Sequence, residues 1–136
     1  MNIIICVDNR LGTGFNGRRQ SRDRILYEKI LKKVNGKLVV SPYSAPLFDP
    51  SKIRVEDDPV HGTGAGEWCF LENVSLHEIE DRIEKLLICR WNRDYPADIY
   101  LDVTLDKWKR ESTAEFSGNS HKEITMEIWE NEKMYQ

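Results

Sequence analysis

Residues 2–41 read NIIICVDNRLGTGFNGRRQSRDRILYEKILKKVNGKLVVS, and the order of residue types in this stretch decides the fold class. Ile3, Ile4, Ile5 and Val7 form a β-branched run from Asn2 to Asp8 that suits a strand buried on both faces. Asn9 to Gly17 holds three glycines and two asparagines, so it reads as a loop able to take positive φ. Ser21 is placed to cap a helix, because its hydroxyl can accept from an orphan N–H of the first turn. Ile25, Leu26, Ile30, Leu31 and Val34 then recur at helical spacing, and Asn35-Gly36 stops the helix. Lys37–Ser41 reads as a second strand, ended by Pro42. Strand, helix and strand within about 40 residues predict a right-handed βαβ unit.

Beyond this unit, Tyr43–Phe48 is expected to form one helical turn and Lys52–Glu56 an edge strand. Asp57–Gly66 reads as a loop, and Glu67–Asn73 as another strand. Ser75-Leu76-His77-Glu78 spells a capping box. It predicts a helix over Leu76–Trp91 that buries Ile79, Ile83, Leu86, Leu87 and Ile88. Asp98–Thr104 reads as a strand, with Lys107–Thr113 as its hairpin partner. Ser120-His121-Lys122-Glu123 repeats the capping-box spelling and favours a terminal helix through Ile124, Ile128 and Trp129, although Ile124, Met126 and Ile128 also alternate as in a strand. The expectation is a single α/β domain over residues 1–136, an α+β sandwich. Its central mixed sheet has about five strands and carries two main helices. Dihydrofolate-reductase-like and ferredoxin-like arrangements both fit this order.

Composition narrows the class. The 136 residues are 40% hydrophobic and 32% charged, enough for one core and too apolar for a disordered chain. No apolar run approaches the roughly 18–20 residues of a membrane helix, so no membrane partner is expected. The N-terminus lacks a basic n-region, and Cys6, Cys69 and Cys89 form no CxxC pair, which points to a reducing cytoplasm. Three histidines in no H-x-H or H-E-x-x-H spacing do not make a metal centre. The net charge of −3 is uneven: residues 1–54 carry 11 Lys+Arg against 4 Asp+Glu, and residues 55–136 carry 9 against 19. The positive excess gathers at Arg18, Arg19, Arg22, Arg24, Lys29, Lys32 and Lys33, a focus for anions.

The candidate site is therefore the loop and helix start Gly12–Arg24. A glycine loop running from a buried strand into a helix N-terminus presents free N–H groups to an anion. Gly12, Gly14, Asn16 and Gly17 supply the backbone, while Arg18, Arg19 and Arg22 supply forked donors for phosphate. Asp8 and Asp23 flank the loop and are placed to meet a base or sugar. Asp23 and His121 are the candidate catalytic groups. The expected ligand is a small phosphate-bearing molecule, a nucleotide for preference. Retention of that ligand without turnover, by a regulatory or sequestering protein, is the non-catalytic version. Trp91-Asn92-Arg93-Asp94-Tyr95 interleaves aromatics with arginine, a weak signal for RNA. A homo-oligomer is compatible with the uneven charge.

Two family resemblances attach to these residues. CVDNRLGTGFNGRRQSRDR (6–24), RWNRDYPAD (90–98) and EFSGNSHKEIT (115–125) resemble small bacterial proteins labelled ribonuclease Z. That label implies metal-dependent tRNA processing on a metallo-β-lactamase fold, whose H-x-H-x-D-H motif is missing here. NIIICVDNRLGTGFNG (2–17), SRDRILYEKI (21–30) and GKLVVSP (36–42) are similar to the opening of dihydrofolate reductases. That resemblance implies an NADPH-dependent reductase. Its glycine loop would lie over the cofactor, Asn16-Gly17 would match the family's Asn-Gly, and Asp23 would match the acid that holds the pterin. Ser41-Pro42-Tyr43-Ser44 stands where the family has the glycine–arginine–x–threonine that grips the cofactor phosphate, and the Leu-Pro-Trp before the acid is missing.

Overall fold

A computed structural model of the chain describes residues 1–135, with side chains through Lys133; Gln136, the end of the expected domain, lies outside it. Strand β1 (Asn2–Val7) sits in the middle of a seven-stranded sheet and is parallel to both its neighbours. Position in the sheet explains its unbroken apolar run, because each side chain faces a core. Ile4 packs on one face with Leu26, Tyr27, Ile30, Phe70 and Leu87. Ile3, Ile5 and Val7 pack on the other with Leu71, Leu76, Ile83, Leu86 and Ile88. Burial of such side chains contributes about 1.5–3 kcal/mol each.

After β1 come β2 (Gly12–Gly14), helix α1 (Arg24–Lys33), β3 (Leu38–Val40), β4 (Ile53–Val55), β5 (Trp68–Phe70), β6 (Lys85–Arg90), β7 (Ile99–Tyr100), β8 (Trp108–Phe116) and β9 (Ile124–Asn131). The main sheet has the order β4-β3-β5-β1-β6-β9-β8, and β2 pairs with β7 in a separate two-stranded ribbon. β1, α1 and β3 make the expected opening unit, with β5 inserted between its two strands. The class is thus α/β with a central mixed sheet, of seven strands where about five were expected. The ferredoxin-like alternative does not survive this strand order. No helix among the described residues is long and apolar enough to cross a membrane.

Two expected helices are corrected. Only His77–Arg82 of the Leu76–Trp91 segment is helical, as a six-residue 3₁₀ helix, and it is followed by β6. Leu86, Leu87, Ile88 and Cys89 are fully buried on alternating faces beside β1. A strand buried on both faces is apolar at consecutive positions, which resembles a helix stripe over a short window. The Ser75 hydroxyl donates to Asp102, and that carboxylate also takes the Leu76 N–H, so no capping box closes. The expected terminal helix is β9, antiparallel to both β6 and β8. There the alternation of Ile124, Met126 and Ile128 prevails. β8 and β9 form a hairpin closed by Phe116 opposite Ile124, and its connection, residues 117–123, reaches back to the start of α1.

Candidate functional site

Asp8 ends β1 and ties down the loop that follows. Its Oδ1 accepts from the N–H of Arg10 (2.9 Å) and of Gly12 (2.8 Å), and its Oδ2 accepts from Gln20 Nε2 and Tyr95 N–H at 3.2 Å. Burial raises its pKa, but the N–H groups of Gly12, Arg10 and Tyr95 outweigh that, and the carboxyl lies below its usual value. Gly12 lies against Gln20 and this carboxylate, and any Cβ on Gly14 would collide with Asn73. Asn16 (φ 53°) and Gly17 (φ 71°) are the two central residues of a tight hairpin turn in which Phe15 and Arg18 exchange both backbone hydrogen bonds. Much of the backbone expected to cradle an anion is therefore engaged by the chain itself: Asp98 takes the Asn16 N–H as well.

The arginines divide. Arg18 and Arg19 line one open cleft of about 500 Å³ with Phe15, Asn16, Gln20 and Pro96. Arg19 crosses its inner end, with Nε 2.9 Å and Nη2 3.0 Å from the two oxygens of Glu72 and its guanidinium stacked over Tyr43 at 4.3 Å. Arg22 belongs to a second cleft of about 430 Å³, with Asp23, Tyr27, Leu47 and Asn119. The second cleft borders the start of α1, but the Ile25 and Leu26 N–H groups there are already taken. Asp23, not Ser21, is the cap, and its Oδ1 accepts from Ile25 N–H (3.0 Å) and Leu26 N–H (3.2 Å).

Asp23 also organises the β8–β9 connection. It takes the N–H of Asn119 (2.9 Å) and of Ser120 (2.8 Å), and its Oδ2 lies 3.1 Å from His121 Nδ1. Burial raises its pKa, yet the Asn119 and Ser120 N–H groups and His121 hold the carboxyl far below the usual range. His121 is only 3% exposed and stacks on Trp91 with ring centroids 4.7 Å apart. Its Nε2 meets Tyr95 Oη at 2.9 Å and Ser21 Oγ at 3.1 Å. Gly118 makes room for this arrangement: a Cβ there would lie 2.5 Å from Asp23 Oδ2 and 2.8 Å from Ile124 Cδ1. Gly118→Ala is accordingly expected to destabilise the chain by about 1–3 kcal/mol through overpacking, which a urea titration reads directly.

Ser21 lines a small inner cavity of about 10 Å³ with Cys6, Thr13, Leu71 and Trp91, walled by Arg19, Gln20 and Glu72. Arg19 and Gln20 therefore separate it from the open cleft. Gln20 is oriented by the two acceptors on its Nε2, Asp8 Oδ2 and Pro96 O, which leaves its buried Oε1 without a hydrogen-bond partner. Cys6 and Cys89 are directly paired across β1 and β6. The thiol of Cys89, and then burial, push Cys6 well above the usual thiol range, in keeping with inert core residues. Among the described residues no cluster of three His, Cys, Asp or Glu could hold a metal ion. Sequence reasoning named Asp23 and His121, included Gln20 and Ser21 only as part of the Gly12–Arg24 span, with Ser21 as a cap, and gave Tyr95 and Glu72 no place in the site. Each of these acts through a contact between distant parts of the chain.

The strand order and the helix crossing to β3 define a class with solved representatives. The chain is similar to dihydrofolate reductase from Enterococcus faecalis, solved in complex with NADP(H) and RAB-propyl, with a TM-score of 0.65. The match covers 95% of this chain and 94% of that one at 9% identity, so the two share a fold. No family model and no curated protein matches the sequence. The fold lends nothing to the ribonuclease Z label.

Proposed function

We propose that this chain binds a small phosphate-bearing ligand, a nucleotide for preference, in the cleft between Phe15–Gln20 and Pro96. The observation that carries the reading is that Arg18 and Arg19 face one cleft whose volume suits a nucleotide and whose rim holds Phe15, 41% exposed. The Arg18 guanidinium supplies charge-assisted hydrogen bonds to phosphate, Arg19 borders the cleft while its Nε and Nη2 are held by Glu72, and an exposed ring supplies a stacking face for a base. Gln20 lines the cleft wall, and its buried, unpartnered Oε1 becomes an acceptor for a ligand N–H or O–H when the side chain turns outward. Of the residues expected at the site, Asn16 joins this cleft, Arg22 borders the other, and Asp8 acts through the loop it ties down.

The reductase reading has the shared fold in its favour, since the similar enzyme was solved with NADP(H). The residues here do not suit that cofactor. The segment that the family resemblance assigns to the cofactor phosphate, Ser41–Ser44, carries no basic side chain. Ser44 Oγ instead donates to the Glu72 carboxylate at 2.8 Å, which places a negative charge against that segment. Asp23, held ionised by its N–H partners, is a poor proton donor near neutrality.

Calorimetric titration of the whole chain with pyrophosphate, a nucleoside diphosphate and NADPH tests the proposal. Arg18→Ala should weaken the diphosphate by about ten- to a hundredfold, the equivalent of one charge-assisted hydrogen bond, and Arg22→Ala should leave it unchanged. Phe15→Ala should weaken the nucleotide and not pyrophosphate. Glu72→Ala should strengthen both about tenfold, because Arg19 is then free to turn into the cleft. Equal affinity in Arg18→Ala and the parent chain would overturn the site.

A further inference from the structure

Ser21, His121 and Asp23 stand in line, with the His121 ring between the hydroxyl and the carboxylate. An ionised carboxylate only accepts, so the His121 Nδ1 that faces Asp23 Oδ2 at 3.1 Å carries a proton. In that tautomer Nε2 has a single lone pair, and it faces two hydroxyls, Ser21 Oγ at 3.1 Å and Tyr95 Oη at 2.9 Å. Tyr95 Oη is also 3.3 Å from Ser21 Oγ and donates to it. One arrangement that uses every donor runs Tyr95 to Ser21, Ser21 to His121 and His121 to Asp23, while Ser120 Oγ, also 3.1 Å from Nδ1, donates to Asp23 Oδ2 or Arg22 O. A hydroxyl is thus held against an imidazole, and the imidazole is oriented by a buried carboxylate that also caps a helix. Trp91 stacked on one ring face and Gly118 packed against Asp23 fix the geometry further.

From this geometry we propose that the chain hydrolyses small acyl esters, with Ser21 as nucleophile, His121 as general base and Asp23 as the residue that positions His121. Ser21 Oγ adds to the ester carbonyl carbon while its proton moves to Nε2. The carbonyl electron pair goes onto oxygen, and the Tyr95 phenol, beside Ser21, is placed to donate to that oxyanion. The C–O bond to the leaving group then breaks, and the departing alkoxide takes the proton from Nε2. Water, activated by the same imidazole, releases the acid and restores Ser21. The balance is ester plus water to acid plus alcohol, with no other reactant.

Access sets the size of the acyl group. The inner cavity at Ser21 has room for about one water as it stands. Its outer wall is Arg19 and Gln20, with Arg19 held in place by Glu72, so a two-carbon acyl group enters when Arg19 swings outward. Acetyl esters are the expected class, and longer acyl chains should be excluded. The chemical step does not use Arg18 or a bound phosphate; the two sites share Arg19 and Gln20, which line both the inner cavity and the outer cleft.

The test uses the whole chain with p-nitrophenyl acetate and a fluorophosphonate reagent that captures activated serines. The expected result is one fluorophosphonate adduct, mapped by mass spectrometry to Ser21, and hydrolysis that falls by about a hundredfold or more in Ser21→Ala. His121→Gln should slow both labelling and hydrolysis to a similar degree. Glu72→Ala should raise kcat/KM by opening the wall, and p-nitrophenyl octanoate should remain a poor substrate for the parent chain. The adduct map needs only the parent chain, so it stands even where a variant folds poorly. No adduct, an adduct on another residue, or equal hydrolysis by Ser21→Ala and the parent would overturn the proposal.

Discussion

Asp23→Ala should lower the melting temperature by about 10–20 °C. The carboxylate satisfies two N–H groups of the first turn of α1 and two more from the β8–β9 connection, besides the His121 ring. Loss of a helix cap alone costs about 1 kcal/mol. Orphaned N–H groups cost about 1–3 kcal/mol each when water cannot reach them. A total on the order of 3–5 kcal/mol follows, at roughly 3–5 °C per kcal/mol for a chain of this length. Asp23→Asn should fall between Ala and the parent. Its oxygen can serve Ile25, Leu26 and Asn119, while its NH₂ group meets the donors of Ser120 and His121. A melting curve within 2 °C of the parent for Asp23→Ala would show that the connection is held by something else.

The same residue fixes the sign of the acid response. Its folded pKa lies below the unfolded carboxyl value of about 3.9, so between the two the unfolded chain binds more protons. The stabilisation is complete above about pH 4 and is lost as the pH falls through the folded value. Asp8 and Asp102, also lowered, act in the same direction. Stability should therefore decline below about pH 4, and the decline should be shallower in Asp23→Asn.

The opening of the fold was legible because its signals are local. The β-branched run, the glycine loop, the helical stripe and the Asn35-Gly36 stop lie within residues 2–41, and β1, α1 and β3 appear where these signals place them. β6 was not legible because local signals conflict with its place in the sheet. Ile79, Ile83, Leu86 and Leu87 have helical spacing, but Leu86 and Leu87 face opposite cores. The cap that would have started a helix is taken by Asp102, which arrives from a distant loop. β9 carried its alternation openly, and the capping-box spelling before it misled, because Ser120 serves Asp23 and not its own turn.

The site divides on the same line. Arginine clustering and a glycine loop are visible in sequence, whereas which guanidinium faces which cleft is not. Arg18, Arg19 and Arg22 are near neighbours, yet Arg22 opens to the far side of Asp23. Asp23 and His121 each stood out, one flanking the loop and one in a polar turn. That they meet depends on the β8–β9 hairpin folding back to α1, across a sequence separation of 98. Glu72 had no signal at all, since only the pairing of β5 with β1 brings it to Arg19.

Trp91→Ala is the other change with a large expected effect. Trp91 is 2% exposed, belongs to the core on the α1 side of the sheet, and continues the β1–β6 ladder through its N–H to Val7 O at 2.9 Å. Truncation of a buried tryptophan costs about 3–5 kcal/mol, of which the cavity left behind is a part. That cavity would join the small void at Ser21, which Trp91 already lines, and the His121 ring would lose its stacked face. The loss should therefore exceed that of a bare core deletion, because the imidazole between Asp23 and Ser21 is then free to tilt. Trp91→Phe separates the two contributions: it keeps an aromatic face for His121 and should cost on the order of 1–2 kcal/mol. Urea unfolding followed by circular dichroism measures both. Equal losses for Phe and Ala would mean that neither the volume nor the ring face that Phe retains supports this position, and that the indole itself is required.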